Sequence, residues 1–380
     1  MTKTAKIILG VVIVIVIVVI AIASRGGSNS NSGPIKIGFI GPLSGSASNI
    51  GQNAQMAVEV ATDEINSSGG INGRSLQVIY EDGKCSGAPA SSAVAKLINI
   101  DKVSAILGGA CSGETMAFTQ IAEQAKVPVL SYCSSNPAIT DAGDYIFRNY
   151  PSDNYQGTFA ADYLYNTLGK KKVAIFYSKT DWANGIKQVF TQEFSKLGGN
   201  IVADEGFAPN NTDVRTSITK IKSAKPDAVY FLGYTAETLV ALKQSQEAGL
   251  KVSTWLGGDA WDDPKIWSAI GPYGEGMSYV VISSKLNESF RSAMVQKVGS
   301  SEIDTCTPPA YDGLKLLAQV VKKVGTDSVA IKDELYKTEY TGGVSSDDIQ
   351  FDQNGDLKTA NYTISVIHNG IATSTLLEVK

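Results

Sequence analysis

Ile35-Lys36-Ile37-Gly38-Phe39-Ile40-Gly41-Pro42-Leu43-Ser44-Gly45 opens the body of the chain, and its first six residues read as a β-strand. Ala54, Ala57, Val58, Ala61 and Ile65 follow at the 3.6-residue spacing of a buried helix face. Ser68-Gly69-Gly70-Ile71-Asn72-Gly73 closes that helix with turn residues, and a second strand begins at Leu76. One strand, one helix and a return strand form the unit from which parallel sheets are built.

The unit repeats. Strands are expected at 76–80, 103–107 and 128–131, with helices near 88–99 and 113–124 between them. After Pro151 the alternation resumes: helix 154–168, strand 172–177, helix 184–197, strand 200–207, helix 214–223, strand 228–232, helix 236–248 and strand 252–256. Helices near 286–298, 309–324 and 329–337 precede an antiparallel finish, 349–352 and 360–368, joined through Asn354-Gly355. Strict alternation predicts an α/β protein of two doubly wound, Rossmann-like lobes with helices on both faces of each sheet. Ligands of open parallel sheets sit beyond the carboxyl ends of the strands, so two facing lobes enclose one cleft.

Upstream, Lys3 and Lys6 precede an apolar run from Ile7 to Ala23, followed by a Gly/Ser/Asn stretch to Gly33. Seventeen residues at about 1.5 Å each approach the thickness of a bilayer core, and the lysines place the amino end in the cytoplasm. Residues 1–24 therefore read as a transmembrane anchor, or as a signal segment cleaved after Ala21-Ile22-Ala23, and 25–34 as a flexible linker. Everything beyond them is expected outside the cytoplasm, tethered to the outer face of the membrane or released.

The formal net charge of −4 and the lack of a basic stripe argue against nucleic acid. His368 is the single histidine, which removes most zinc sites and histidine-based catalysis. Cys85, Cys111, Cys133 and Cys306 form no C-x-x-C pair, and four cysteines in an exported chain read as disulfides before metal. Asn66, Asn210, Asn287 and Asn361 begin N-glycosylation tripeptides. No cofactor or metal motif is found: 352–356 mimics part of a calcium loop but misplaces its glycine, and Gly108-Gly109 lacks the lysine of a phosphate loop.

Several stretches together carry a family resemblance: 35–45, Gly69-Gly70-Ile71-Asn72-Gly73-Arg74, Tyr80-Glu81-Asp82, Pro151-Ser152-Asp153 with Gln156-Gly157, Ala310-Tyr311-Asp312-Gly313 and 351–356. From Ile35 onward the chain resembles type I periplasmic binding proteins of the leucine/isoleucine/valine-binding group, the solute receptors of branched-chain amino acid ABC transporters. The resemblance implies two lobes joined by three crossovers, 35–150 with 284–340 and 151–283 with 341–380. It also implies a small amino acid ligand, most simply branched-chain or otherwise aliphatic, and permease subunits as partners.

The ligand-binding candidates are Ser112, Cys133, Ser134, Ser135, Trp182, Tyr234 and Asp259. Ser112 opens a helix whose amides favour an anion, against the plain reading of a helix cap. Cys133-Ser134-Ser135 lies beyond the next strand and matches the family's second carboxylate- and ammonium-binding segment. Asp259, after Gly257-Gly258, stands where the family is typically acidic and pairs with the amino group. Trp182 and Tyr234 match aromatic positions that close over the ligand, and Trp261 is a weaker candidate for the same wall. Ile50 departs from the aromatic residue that relatives often carry, and Asp153 reads as a helix cap. The resemblance implies a Cys85–Cys111 disulfide, with Cys133 and Cys306 as a second pair or as free buried thiols.

Three other functions are compatible with parts of the sequence. Gly109-Ala110-Cys111-Ser112-Gly113 has a nucleophile-elbow shape and His368 follows late in the chain, the order of an α/β-hydrolase. The fold also serves sensor ectodomains, although six residues before the apolar run leave no cytosolic output domain, and it serves binders of amides and urea.

Overall fold

The computed structural model describes residues 33–299 and 303–375. The anchor or signal segment and most of the linker lie outside the described residues. Among the described residues no helix is long and apolar enough to cross a membrane.

Five parallel strands form the first sheet: β1 (Ile35–Gly41), β2 (Leu76–Asp82), β3 (Ala105–Leu107), β4 (Val129–Ser131) and β5 (Ile146–Arg148), in the order 2-1-3-4-5. The second sheet holds β6 (Lys172–Ser178), β7 (Asn200–Phe207), β8 (Ala228–Leu232), β9 (Trp255–Gly257), β10 (Ser278–Ile282), β13 (Tyr362–His368) and β14 (Ile371–Thr375). Its order is 14-13-10-9-8-6-7, parallel except for the antiparallel pairs made by β13. A third, two-stranded sheet pairs β11 (Tyr340–Thr341) with β12 (Asp348–Ile349).

The strands are apolar on both faces because both faces are covered. In β6, Val173, Ile175 and Tyr177 join one buried cluster while Ala174 and Phe176 join another on the opposite side. In β1, Ile37 and Phe39 point one way and Ile40 the other. The helix Ser48–Ser67 buries Ala54, Ala57, Val58 and Ala61, small residues that let it lie close to the sheet. At Gly51 a Cβ would come within 2.3 Å of the Pro42 carbonyl oxygen, so only glycine permits this approach. Gly70, at φ +72°, turns the chain so tightly that a Cβ would meet the Arg74 carbonyl at 2.1 Å.

Three differences from the sequence reading stand out. The strands β5, β10, β11 and β14 were not expected. The hairpin joining β13 to β14 turns at Asn369-Gly370, both at positive φ, whereas Asn354-Gly355 closes only a single bridge between Phe351 and Leu357. Residues 351 and 356 also pack against the first sheet. Phe351 packs edge-on to Phe147 at 5.3 Å, and Asp356 holds the buried Arg148 guanidinium at 2.5 and 2.7 Å. Ser283 N–H donates to the Asn361 carbonyl at 2.9 Å, placing the second and third crossovers side by side.

Candidate functional site

The carboxyl ends of both sheets face one another across a cavity of about 30 Å³. The lobes are already in contact around it. Asn136 Nδ2 donates to the Asp181 carbonyl at 2.6 Å, and Asn49 Nδ2 donates to Asp263. On the first crossover, the Tyr150 hydroxyl donates to Asp259 Oδ2 at 2.6 Å. A larger groove of about 850 Å³ opens on the outside of the first lobe, along the helices Ser48–Ser67 and Thr307–Val324, away from these strand ends.

Four of the seven expected ligand residues line the cavity: Cys133, Trp182, Tyr234 and Asp259. Trp182 is the second residue of the helix Asp181–Lys196, and Tyr234 precedes the helix Thr235–Glu247. Their rings stack at 5.1 Å with 23° between planes, forming an aromatic wall from the second lobe. The other three lie behind the lining. Ser112 Oγ accepts the Asn136 N–H at 3.1 Å and the Ser135 N–H at 3.3 Å, so it knits two first-lobe loops together. Ser134 Oγ bonds Thr115 Oγ1 at 2.7 Å and the Gly109 carbonyl at 3.0 Å. Ser135 is buried, and its carbonyl accepts the Asp153 N–H at 2.7 Å. Ser112 does not cap its helix; Cys111 holds that position.

Asp259 follows β9 and is buried with only neutral groups bonded to it. Burial pushes its carboxyl above the usual carboxylate range, while the Tyr150 hydroxyl and Gln156 pull the other way. Asp153 is not a cap: Ser152 caps that helix and Asp153 is wholly buried inside it. Burial, then the nearby Asp259 carboxylate, hold Asp153 well above its ordinary value. Gln156 ties the two together, accepting from Asp259 N at 3.1 Å and donating to Asp153 Oδ1 at 3.2 Å.

Both pairs of cysteines are bonded, Cys85 to Cys111 and Cys133 to Cys306. The second bond carries Asp304 and Thr305 to the cavity wall. The bonds also dispose of the hydrolase reading, because Cys111 has no thiol to ionise. His368 pairs with Glu275 at 2.8 Å at the end of β13, not with Cys111. Trp261 belongs to the buried cluster on the other face of the second sheet and does not wall the cavity. In the supposed calcium loop, Asp352 caps the backbone of Asn354 and Asp356, and Asp356 is spent on Arg148.

Residues 34–370 match the family described as periplasmic binding protein. The chain belongs to that family. Among its relatives is the leucine-, isoleucine-, valine-, threonine- and alanine-binding protein of Pseudomonas aeruginosa, 27% identical over 351 residues, 91% of this chain and 92% of that protein. The branched-chain amino acid transporter substrate binding protein LivJ of Streptococcus pneumoniae, solved with isoleucine, superposes with a TM-score of 0.83. It is 30% identical, covering 90% of this chain and 99% of that one. A leucine binding protein, LivK, from Thermotoga maritima also gives a TM-score of 0.83 at 26% identity, over 90% and 98% of the two chains.

In this periplasmic binding protein the sequence reading missed Asn49, Tyr150, Asp262, Asp263, Asp304 and Thr305, all on or against the cavity. A signal was present for two of them. Gly257-Gly258-Asp259-Ala260-Trp261-Asp262-Asp263 places three acids within five residues of one strand end. Nothing local marks Asp304, whose segment is tied to the first lobe by the Cys133–Cys306 disulfide and by the bond from Asn53 at 2.7 Å.

Proposed function

We propose that this protein is the extracytoplasmic solute receptor of an ABC importer, taking an α-amino acid between lobes that part to admit it, since the cavity as it stands is only about 30 Å³, and presenting it to permease subunits. The observation that carries this reading is Asp259: a buried carboxylate on the cavity wall, bonded only by neutral donors, suited to an ammonium group. The helix Ser112–Ala125 begins beside the cavity, which Ala110 and Cys111 line, and its dipole favours the ligand's carboxylate, although the Ala110 and Cys111 amides themselves donate to Glu114 at 3.2 and 3.1 Å. Trp182 and Tyr234 cover the ligand from the second lobe. Closure expels water and strengthens both charged contacts. The branched-chain or other aliphatic side chain comes from the ligands of the relatives alone; the head-group reading does not depend on it.

A thermal-shift panel of amino acids, amides and aromatic acids tests the reading. Zwitterions bearing an α-amine are expected to raise the melting temperature. If only compounds without an amine do so, Asp259 does not hold an ammonium group and the amide or aromatic-acid class takes its place.

A further inference from the structure

The two lobes bond directly to each other at two places, around a space of about 30 Å³ that holds little more than a water or two. At the first, Asn49 of the helix Ser48–Ser67 donates through Nδ2 to Asp263 and, at 3.4 Å, to Thr235 Oγ1, both in the second lobe. Asp263 is fixed for this contact. Its Oδ1 caps the helix Pro264–Ile270 by accepting the Lys265 N–H at 2.9 Å, which leaves Oδ2 for Asn49 and Thr235. At the second, Asn136 Nδ2 donates to the Asp181 carbonyl at 2.6 Å.

Asn136 is held from behind by its own lobe. Its Oδ1 accepts the Ala138 N–H at 2.8 Å, its N–H donates to Ser112 Oγ at 3.1 Å, and its carbonyl accepts from the buried Arg148 guanidinium at 2.9 Å. Three bonds thus aim one amide at the other lobe. The closeness of approach is a separate observation. A Cβ on Gly185, in the helix Asp181–Lys196, would come within 2.7 Å of Asn136 Nδ2 and 3.0 Å of Pro137 Cδ. One on Gly113 would come within 2.7 Å of Asp181 Oδ2. Neither glycine has a positive φ, so both serve the contact between lobes and not a backbone turn. Asn136 and Gly185 do not line the cavity.

We infer that Asn49 and Asn136 form a latch that keeps the lobes shut before any solute binds, so that a solute enters only when both bonds break. The latch then sets affinity from outside the solute's own contacts: the apparent affinity is lowered by the fraction of time the lobes are together. Both asparagines act here as positioning residues, through the balance between open and shut lobes. Trp182 reports that balance. Of the four tryptophans, Trp182 lines the cavity, whereas Trp255, Trp261 and Trp267 belong to the cluster on the other face of the second sheet.

Acrylamide quenching of tryptophan fluorescence in the full chain, with no solute added, tests the latch. Loss of a neutral hydrogen bond shifts such a balance by about 5-fold and loss of one to a carboxylate by about 10-fold or more. The paired variant Asn49→Ala with Asn136→Ser should therefore be open about 50-fold more often, and serine keeps the cap on residues 137–141 while falling short of Asp181. Gly185→Leu suits a helix and wedges the lobes apart, which supplies the open reference. Quenching is expected to rise in both, and the rise to vanish when Trp182→Phe is added. Unchanged quenching in the paired variant overturns the inference. So does an unaltered protein already quenched as fully as Gly185→Leu, and so does a rise that persists with Trp182→Phe, which marks general loosening. No solute enters the measurement, so its failure is distinct from failure of the amino-acid reading.

Discussion

The Tyr150 hydroxyl donates to Asp259 Oδ2 at 2.6 Å, joining the first crossover to the loop beyond β9. Thr305 Oγ1 lies 3.2 Å from the same hydroxyl, so one phenol links the first crossover, the loop after β9 and the segment before the helix Thr307–Val324. Such a bond does two things: it fixes the carboxylate on the cavity wall, and it stabilises the ionised form.

Tyr150→Phe removes that bond and keeps the ring. A hydrogen bond to a charged group is worth about 1.5–3 kcal/mol, so affinity for an α-amino acid should fall by about 10-fold or more. The carboxyl of Asp259, already raised, loses a group that lowers it. Its ionised fraction then falls further at neutral pH, and the defect should shrink as pH rises. Calorimetry at pH 6 and pH 8 reads both effects; a loss equal at the two pH values would show that the hydroxyl acts by position alone.

Trp182→Ala strips one half of the aromatic wall. An aromatic contact contributes about 0.5–1.5 kcal/mol beyond its buried area, so ligand affinity should drop by about 2- to 12-fold. Trp182→Phe should recover most of it. Unchanged affinity in the alanine variant would move the ligand away from this wall.

The two disulfides predict a ranking. They close spans of 26 and 173 residues. In the chain-entropy account these contribute about 3.5 and about 5 kcal/mol respectively. Replacing Cys133 and Cys306 by serine should therefore lower stability more than replacing Cys85 and Cys111, and should also weaken ligand binding, because Asp304 and Thr305 lose their anchor. Thiol titration of the unfolded, unreduced protein should find no free thiol; two or four would contradict one bond or both.

Two buried acids, Glu114 and Asp304, and the half-buried Asp262 set the pH dependence of the ligand-free protein. Burial lifts Glu114 from 4.5 to about 7, Asp262 from 3.8 to about 7 and Asp304 from 3.8 to about 6. A raised carboxyl keeps its proton in the folded state after the unfolded chain has released it, so stability falls as pH rises. The fall should span roughly pH 4 to 7, between the unfolded and folded values of these groups. Melting curves without ligand should show a higher midpoint at pH 5 than at pH 8, and Asp262→Asn should flatten the difference. A midpoint that climbs across this window would show these acids ionised inside the fold.

The strand–helix beat, the two lobes and the cleft between them were legible because each rests on a short-range pattern. β8 was expected at 228–232 and spans those residues, since a run of apolar residues between turn signals needs no partner to be recognised. Asp259, Trp182 and Tyr234 were legible for a related reason: each follows a strand at its carboxyl end, where topology delivers it to the cleft. Ser112, Ser134 and Ser135 occupy equivalent strand ends, yet they lie behind the cavity lining. A hydroxyl can satisfy itself on any nearby backbone, and which backbone is near depends on how loops pack.

The order of strands and helices, the pairing of polar turns with strand ends and the even number of cysteines in an exported chain thus followed from neighbouring residues alone. The meeting of Asp259, Asp262, Asp263 and Asp304 at one cavity did not. Asp262 and Asp263 arrive from the second lobe and Asp304 from a segment some forty residues later, and their common field exists only once the Cys133–Cys306 bond and the closed lobes bring them to one cavity. Electrostatic environment is a property of distance in space, and separation along the chain says little about it until the lobes meet.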